Sequence, residues 1–101
     1  MRLISQDGMI DVPYEYGSLS VGVGHFEDVE FSVIKYRNVS SPNGTKLAEY
    51  RSRAKALKVM EMLRERYIEH FDVNLDSCWY SNDYPKIFQF PKDEEVEVWN
   101  E

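Results

Sequence analysis

One stretch of the sequence, from Ser52 to about Phe71, constrains the fold more than any other. Apolar side chains recur in it at intervals of three and four residues, which places them on one face of an α-helix. Charged side chains fall on the opposite face. The pattern predicts an amphipathic helix with Ser52 as its N-cap. The apolar face that it packs against the rest of the protein consists of Ala56, Val59, Met60, Leu63, Tyr67 and Phe71.

The first turns of this helix carry an unusual charge. Four cations, Arg51, Arg53, Lys55 and Lys58, lie at the end where the helix dipole is positive. Acidic residues are favoured there, and each misplaced cation costs roughly a few tenths of a kcal/mol. We therefore expect a negative group nearby. The simpler source is the acidic tail of the same chain, and the alternative is an anionic ligand or an acidic partner.

The N-terminal residues predict a short hairpin. Leu3–Gln6 and Met9–Val12 flank Asp7-Gly8, a dipeptide typical of the type I′ turn, in which both central residues need a positive φ. Pro13 has no amide hydrogen to donate, so the second strand should be short or lie at a sheet edge.

Three longer strands are predicted at 18–23, 29–37 and 46–50, separated by turns at 24–28 and 38–44. In the first of them Leu19, Val21 and Val23 alternate with small residues, which predicts one buried face. A short strand at 87–90 follows the helix, and a weak one is predicted at 96–99. These segments indicate an α+β fold: an antiparallel sheet of about five strands with one amphipathic helix packed on one face.

Length and composition indicate one folded domain. The chain has 101 residues, enough for a single core, and 43% of them are hydrophobic. No apolar run approaches the roughly 20 residues of a membrane span, and the first eight residues lack the apolar region of a secretion signal. The lone Cys78 fits a reducing compartment. We therefore expect a single domain spanning 1–101, with an acidic tail at 92–101, in a reducing cytoplasm.

The charge distribution argues against nucleic acid as a direct partner. The net charge is −6, and the tail at 92–101 contains one base and five acids. Affinity for nucleic acid comes mostly from clustered Lys and Arg that neutralise phosphates. We expect neither direct nucleic-acid binding nor a membrane partner, and favour instead a protein with a basic surface.

Catalytic and metal-binding patterns are weak. A Cys78–His70 pair is conceivable, but nothing in the spacing brings the two together, and His70 already suits the negative end of the helix dipole. His70, Asp72, Asp76 and Cys78 lack the spacing of a zinc or calcium site. The sequence therefore predicts no enzyme, no cofactor and no metal site.

Three features remain as candidates for partner binding. The first is the basic helix start, and the second is an aromatic segment before Pro85 whose residue types are common in binding hot spots. The third is the acidic tail, in which Trp99 lies among acidic residues. The candidate partner-binding residues are Arg51, Arg53, Lys55, Lys58, Trp79, Tyr80, Tyr84, Asp93, Glu94, Glu95 and Trp99.

Both ends of the chain and the helix resemble a group of small proteins without an assigned activity, encoded by phages, prophages and mobile elements of Gram-positive bacteria. The resemblance rests on Ile4-Ser5-Gln6-Asp7-Gly8 with Asp11-Val12-Pro13-Tyr14-Glu15, on the block Ala56 to Arg64, and on Phe88-Gln89-Phe90-Pro91 followed by acids. The members of the group tend to begin the helix with Ser/Thr-Glu-Glu-Lys-Ala. This chain differs, with Arg51-Ser52-Arg53-Ala54-Lys55.

The resemblance implies a phage-type accessory protein that acts by binding. By analogy of setting, the leading hypothesis is a non-enzymatic inhibitor of a host defence complex, as anti-CRISPR proteins are, using an acidic and aromatic surface against a basic groove. Two alternatives stay open. One is a structural or assembly component that forms a homo-oligomer through exposed strand edges. The other is a binder of a small anionic ligand or nucleotide near Arg51, Arg53 and Trp79.

Overall fold

In the residues that the structure describes, the fold combines six strands with one long helix. The structure is a computed structural model and describes residues 1–77 and 87–98, without the side chains of 69–77. Short 3-10 turns lie at Tyr14–Tyr16 and Asp93–Glu95, and the chain is α+β as the sequence predicts. In chain order the elements are β1 (Arg2–Ile4), β2 (Asp11–Pro13), β3 (Ser18–Phe26), β4 (Val29–Asn38), β5 (Ser41–Tyr50), α1 (Arg53–Ser77) and β6 (Ile87–Gln89).

The described strands form two sheets of three, and the prediction of one antiparallel sheet of about five strands is wrong in that respect. One sheet has the order β3-β4-β5 and is antiparallel throughout. The other has the order β2-β1-β6, and β6 runs parallel to β1, with Leu3 opposite Phe88. Alternation in a sequence shows which side chains share a face, but it carries no signal for a parallel partner from the far end of the chain.

Hydrogen bonds tie the two sheets together around one core. The Tyr36 hydroxyl of β4 donates to the Pro13 carbonyl of β2 at 2.6 Å, and the Tyr50 hydroxyl of β5 donates to the Pro91 carbonyl at the same distance. The backbone amide of Gln6 donates to the Leu47 carbonyl at 2.8 Å. The buried side chains of both sheets and the helix form a single cluster: Leu3, Ile34, Tyr36, Leu47, Ala48, Tyr50, Ala56, Val59, Leu63, Phe88, Phe90 and Val96.

Helix α1 begins where the sequence predicts. The Ser52 hydroxyl accepts a hydrogen bond from the Lys55 amide at 3.2 Å, which is the N-cap interaction. Ala56, Val59 and Leu63 are buried, and Met60 and Tyr67 are half-buried, while the Phe71 side chain lies outside the described residues. The helix extends as far as Ser77, later than predicted, because no Gly or Pro lies between Phe71 and Ser77 to stop it.

The helix covers only part of the larger sheet. It packs chiefly over β4 and β5, and on the β3 side it borders open grooves beside Leu19 and Val21. Leu19 and Val21 are half-buried there, but Val23 is 61% exposed, and the predicted burial of Val23 is wrong. Residues 25–30, where β3 turns into β4, are all exposed. An alternating strand marks a face suited to burial, but the element that covers it decides which residues are buried.

The strand β5 is longer than its sequence pattern suggests. The predicted turn at 38–44 shrinks to Val39-Ser40, because Asn38 already pairs with Ser41. Pro42 is tolerated because β5 lies at an edge of its sheet. A register shift between Ile34 and Lys35 marks a bulge on the β5 side. The bulge lets the consecutive residues Leu47 and Ala48 both be buried.

The type I′ turn occurs in a different hairpin from the one predicted. At Asp7-Gly8 only Gly8 has a positive φ, of 79°, and the loop between β1 and β2 spans Ser5 to Ile10. Between β3 and β4 the two-residue loop Glu27-Asp28 has φ values of 46° and 69°. Both central residues are then left-handed, which suits Asn-Gly and disfavours longer side chains. This loop is therefore a strained position.

Relieving this strain should stabilise the protein. The double change Glu27→Asn with Asp28→Gly is expected to raise the free energy of unfolding by about 1 kcal/mol, because both new residues tolerate left-handed backbone. Urea denaturation measures it as a higher midpoint with an unchanged slope. Glu30→Gln, on the adjacent extended backbone, is the charge control. An equal gain in that variant would show that charge, not backbone conformation, is responsible.

Candidate partner-binding site

The basic start of the helix pairs with an acidic residue of the same chain. One carboxylate oxygen of Asp93 accepts a hydrogen bond from the Arg51 amide at 2.8 Å. The other lies 3.1 Å from the Lys55 ammonium, which also donates to the Asp93 carbonyl at 3.2 Å. This is the intramolecular pairing that the sequence analysis favours, and it uses one acid of the tail. Asp93 thus supplies the negative charge that the helix end requires.

The tail is held in place by the segment that precedes it. Phe90 is buried, and its amide donates to the Ile4 carbonyl at 3.0 Å, so the chain leaves β6 in a fixed direction. The 3-10 turn follows, with the Lys92 amide donating to the Glu95 carboxylate at 2.8 Å. Val96 then enters the core. The tail is therefore folded as far as residue 98, and the weak strand predicted at 96–99 is absent from its described part, 96–98.

The carboxyl group of Asp93 is kept ionised by its partners. Burial is the largest single influence and would raise its pKa, but the hydrogen bonds from the Arg51 amide and the Lys55 ammonium together outweigh it. The pKa of Asp93 therefore lies below its ordinary value. For the neighbouring phenol of Tyr50, burial raises the pKa, and the charges of Asp93 and Glu95 raise it further. Tyr50 stays neutral as a hydrogen-bond donor.

The other cations of the helix start remain on the surface. Lys58 is exposed and lies 3.7 Å from Glu61 of the next turn. Arg51 and Arg53 are exposed, and their guanidinium groups form no ion pair with a described residue. They border a groove of about 200 Å³ whose other lining residues are Val21, Gly22, Val23, Glu30, Phe31 and Ser32. Apolar side chains and a carboxylate make this groove a poor match for a nucleotide phosphate.

A second exposed surface lies at the end of the β3–β4 hairpin. We define the hairpin tip as residues Phe26, Glu27, Asp28, Val29 and Glu30, all of which are exposed. Phe26 and Val29 face each other across the turn and are 67% and 62% exposed. The three carboxylates form no ion pair with any residue in the described part of the chain. The tip therefore combines two exposed apolar side chains with three negative charges.

The apolar side of the hairpin tip continues into a shallow concavity. Phe31 lies over Gly24, where a Cβ would come within 2.4 Å of the Phe31 ring. The concavity encloses about 600 Å³. Its apolar lining is Phe26, Val29, Phe31 and Tyr50, and its charged lining is Lys46, Glu49, Arg51 and Asp93. The hairpin tip and the residues around Asp93 thus belong to one continuous surface.

Sequence reasoning did not identify the hairpin tip. It assigned the end of β3 to a turn and the start of β4 to an ordinary strand. The available signal was an apolar residue on each side of a two-acid turn, Phe26 and Val29. The register puts that pair on the sheet face opposite Ile34 and Tyr36, and whether anything covers that face is a property of the tertiary structure.

Several candidate residues fall outside what the structure describes. Cys78, Trp79, Tyr80, Tyr84 and Trp99 lie outside the described residues, as does the side chain of His70. Glu94 and Glu95 are described and exposed on the 3-10 turn. Within 1–77 and 87–98, no three His, Cys, Asp or Glu side chains are placed to hold a metal ion. None of the described helices combines the length and the hydropathy needed to cross a bilayer.

Comparisons of the chain with protein-family models, with curated proteins and with solved structures return no match.

Removing the charge of Asp93 should destabilise the fold in a pH-dependent way. Asp93→Asn keeps the shape but loses the pairing with Lys55, and the expected loss at neutral pH is roughly 1–2 kcal/mol of unfolding free energy. Because folding lowers the Asp93 pKa, this stability is complete above the unfolded-state pKa of about 3.9 and is lost as the pH falls through the folded-state value. Urea unfolding of both proteins between neutral and acidic pH measures the difference.

The control is Glu94→Gln, an exposed neighbour of the same charge. It should change the unfolding free energy by no more than a few tenths of a kcal/mol, roughly. Equal effects of the two changes at neutral pH would contradict a specific role for Asp93.

Proposed function

We propose that the protein acts without catalysis, by inserting its hairpin tip into a groove of a partner protein lined with basic and apolar side chains. The observation that carries this proposal is the exposure of Phe26 and Val29 side by side at a turn that also exposes the acidic residues Glu27, Asp28 and Glu30. Exposed apolar side chains that stand together at a projecting turn, within a charged rim, are typical of interaction sites.

The energetics of such an insertion are favourable. Burying an exposed Phe or Val side chain yields about 1.5–3 kcal/mol each. The hairpin tip is a two-residue loop fixed by strand pairing on both sides, so little additional backbone entropy is lost when it binds. Its carboxylates would speed association with a basic groove and discriminate against acidic surfaces.

The strained turn supports the same proposal. Asn-Gly is the usual choice for a type I′ turn, yet this hairpin has Glu27 and Asp28 in left-handed conformations. Residues held in unfavourable backbone conformations often have a role that the more stable alternative would not supply. Here the more stable alternative would remove two negative charges from the tip. We take this as support for a role of those charges in recognition.

The proposed setting is that of a phage or mobile-element accessory protein in the bacterial cytoplasm. Its support is the resemblance of both ends and the helix to small proteins of phages and mobile elements. Grooves of host proteins that process nucleic acid are lined with Lys and Arg, and an acidic projecting tip matches them in charge. We therefore propose inhibition of a host defence complex, in the manner of anti-CRISPR proteins, as the function of the binding.

The test is a quantitative pull-down from lysates of a Gram-positive bacterium. The baits are the wild-type chain, the tip variant Phe26→Ser with Val29→Ser, and the control Val39→Ser. Val39 is 99% exposed in the loop between β4 and β5, at the opposite end of the hairpin strands. We expect a partner that wild type and control capture equally and that the tip variant captures at least about tenfold less.

A charge variant makes the test sharper. Glu27→Asn with Asp28→Asn removes two charges while Asn still accepts left-handed backbone. It should slow association and weaken its dependence on salt. The proposal fails if every protein captured by wild type is captured equally by the tip variant, or if binding is insensitive to both the charge variant and salt.

A further inference from the structure

We infer that the outer edge of β3 is a homodimer interface, at which β3 of one copy pairs antiparallel with β3 of a second copy. This inference does not depend on the proposed function, because the edge of β3 and the hairpin tip are different surfaces. The search for an interface begins with the strand edges, since an unpaired edge presents a row of backbone donors and acceptors.

The outer edge of β3 is long and unprotected. Its nine residues pair with β4 without a register shift, so no bulge bends the strand. No other strand in the described part of the chain pairs with its outer side. The sequence Ser-Leu-Ser-Val-Gly-Val-Gly-His-Phe contains no Lys, no Pro and no acid, the residues that usually protect an edge. Helix α1 packs chiefly over β4 and β5 and borders one face of β3 at Leu19 and Val21. The backbone groups along the outer edge of β3 pair with no strand in the described part of the chain.

The hairpin geometry shows which backbone groups are free to pair. A two-residue loop makes the flanking pair, Phe26 and Val29, a hydrogen-bonded pair. Hydrogen-bonded and non-hydrogen-bonded pairs then alternate along an antiparallel ladder. The residues that direct their amide and carbonyl groups to the outer edge are therefore Leu19, Val21, Val23 and His25.

These four residues are self-complementary about Gly22. If a two-fold axis passes beside Gly22, Val21 of one copy lies opposite Val23 of the other, and Leu19 lies opposite His25. All four outward residues then form hydrogen-bonded pairs, for roughly eight backbone hydrogen bonds in total. Gly22 faces its own equivalent at a non-hydrogen-bonded position, with Cα atoms about 4.5 Å apart. An isologous interface requires a surface that fits itself in this way.

Side chains and charge agree with the same register. Val23, which is 61% exposed in one copy, would be covered by Val21 of the second. The interface places no acid opposite an acid, although the chain has a net charge of −6. The two β4 strands would lie about 14 Å apart, three strand spacings, which leaves room for one helix of about 10 Å on each copy. The self-complementary register argues for a second copy rather than a foreign strand as the occupant.

The first test uses sedimentation equilibrium of the full chain up to hundreds of micromolar. Wild type is expected to dimerise, and Val23→Lys to raise the dissociation constant by at least about tenfold, because a charge would lie within the apolar pairing. Val29→Lys is the matched control, since Val29 has nearly the same exposure on the same hairpin but lies on the inner strand β4. A monomeric wild type, or an equal loss of dimer in both variants, would overturn the inference.

The second test fixes the register and does not depend on how a charged variant folds. In a Cys78→Ser background, Gly22→Cys should form a disulfide-linked dimer under mild oxidation, because the Cα separation across the axis suits a disulfide. A Cβ at Gly22 meets no other atom within 4 Å in the single copy. Ser20→Cys in the same background is the control, because its equivalents would be about 13 Å apart along the strands. Equal cross-linking of both variants, or of neither, would contradict the proposed pairing.

Discussion

The pairing of Asp93 with the start of α1 is the interaction on which the arrangement of the whole chain depends. Cations at the positive end of a helix leave that end without a counter-charge, and here the acid comes from 38 residues further along the chain than Lys55. To bring it there, the segment after the helix returns along β1 as a parallel strand, and Tyr50 secures Pro91 just before the acid. The second sheet and the folded tail follow from the same placement, because β6, Pro91 and Asp93 are consecutive parts of one short segment.

The position of the helix also determines what the molecule leaves exposed. Its first turn is fixed by Ser52 and Asp93, and from there it lies over β4 and β5. The outer edge of β3 is left open because the helix lies mainly over the other two strands. Phe26 and Val29 of the hairpin tip lie on the sheet face opposite Ile34 and Tyr36, which pack with the helix. The edge has no acid or Lys, and it offers backbone groups that suit an identical strand. The tip has three carboxylates around two apolar side chains, and it suits a basic groove. Two separate binding surfaces in a chain of 101 residues are compatible because the edge pairs through backbone groups and the tip uses side chains outside the core cluster.

Sequence reasoning recovers the local features of this structure and misses the non-local ones. The apolar periodicity of α1 and the Ser52 cap are confirmed, because both depend on neighbours within one turn of a helix. The strands predicted at 18–23 and 29–37 are confirmed because alternation is also local, but β3 extends to Phe26 and the predicted turn at 24–28 shrinks to Glu27-Asp28. The parallel pairing of β1 with β6 and the exposure of Val23 were not predictable, since each depends on how distant elements pack.

At the candidate site, the unusual positive charge at the helix start correctly indicated a nearby acid. The hairpin tip was missed because strand alternation places Val29 on one face of the sheet but does not show whether another element covers that face.

The two proposals have a joint consequence. In a dimer built on antiparallel β3 strands, the two hairpin tips point in opposite directions from the two-fold axis beside Gly22. Six residues separate that axis from Asp28, so the tips would stand about 40 Å apart. A partner with two basic grooves at that spacing would bind both tips, and the second contact would form at the high effective concentration set by a rigid connection. A single-groove partner would gain nothing from the dimer. The geometry of the β3 edge would then select among basic partners by the spacing of their grooves, which the charge of one tip alone cannot do.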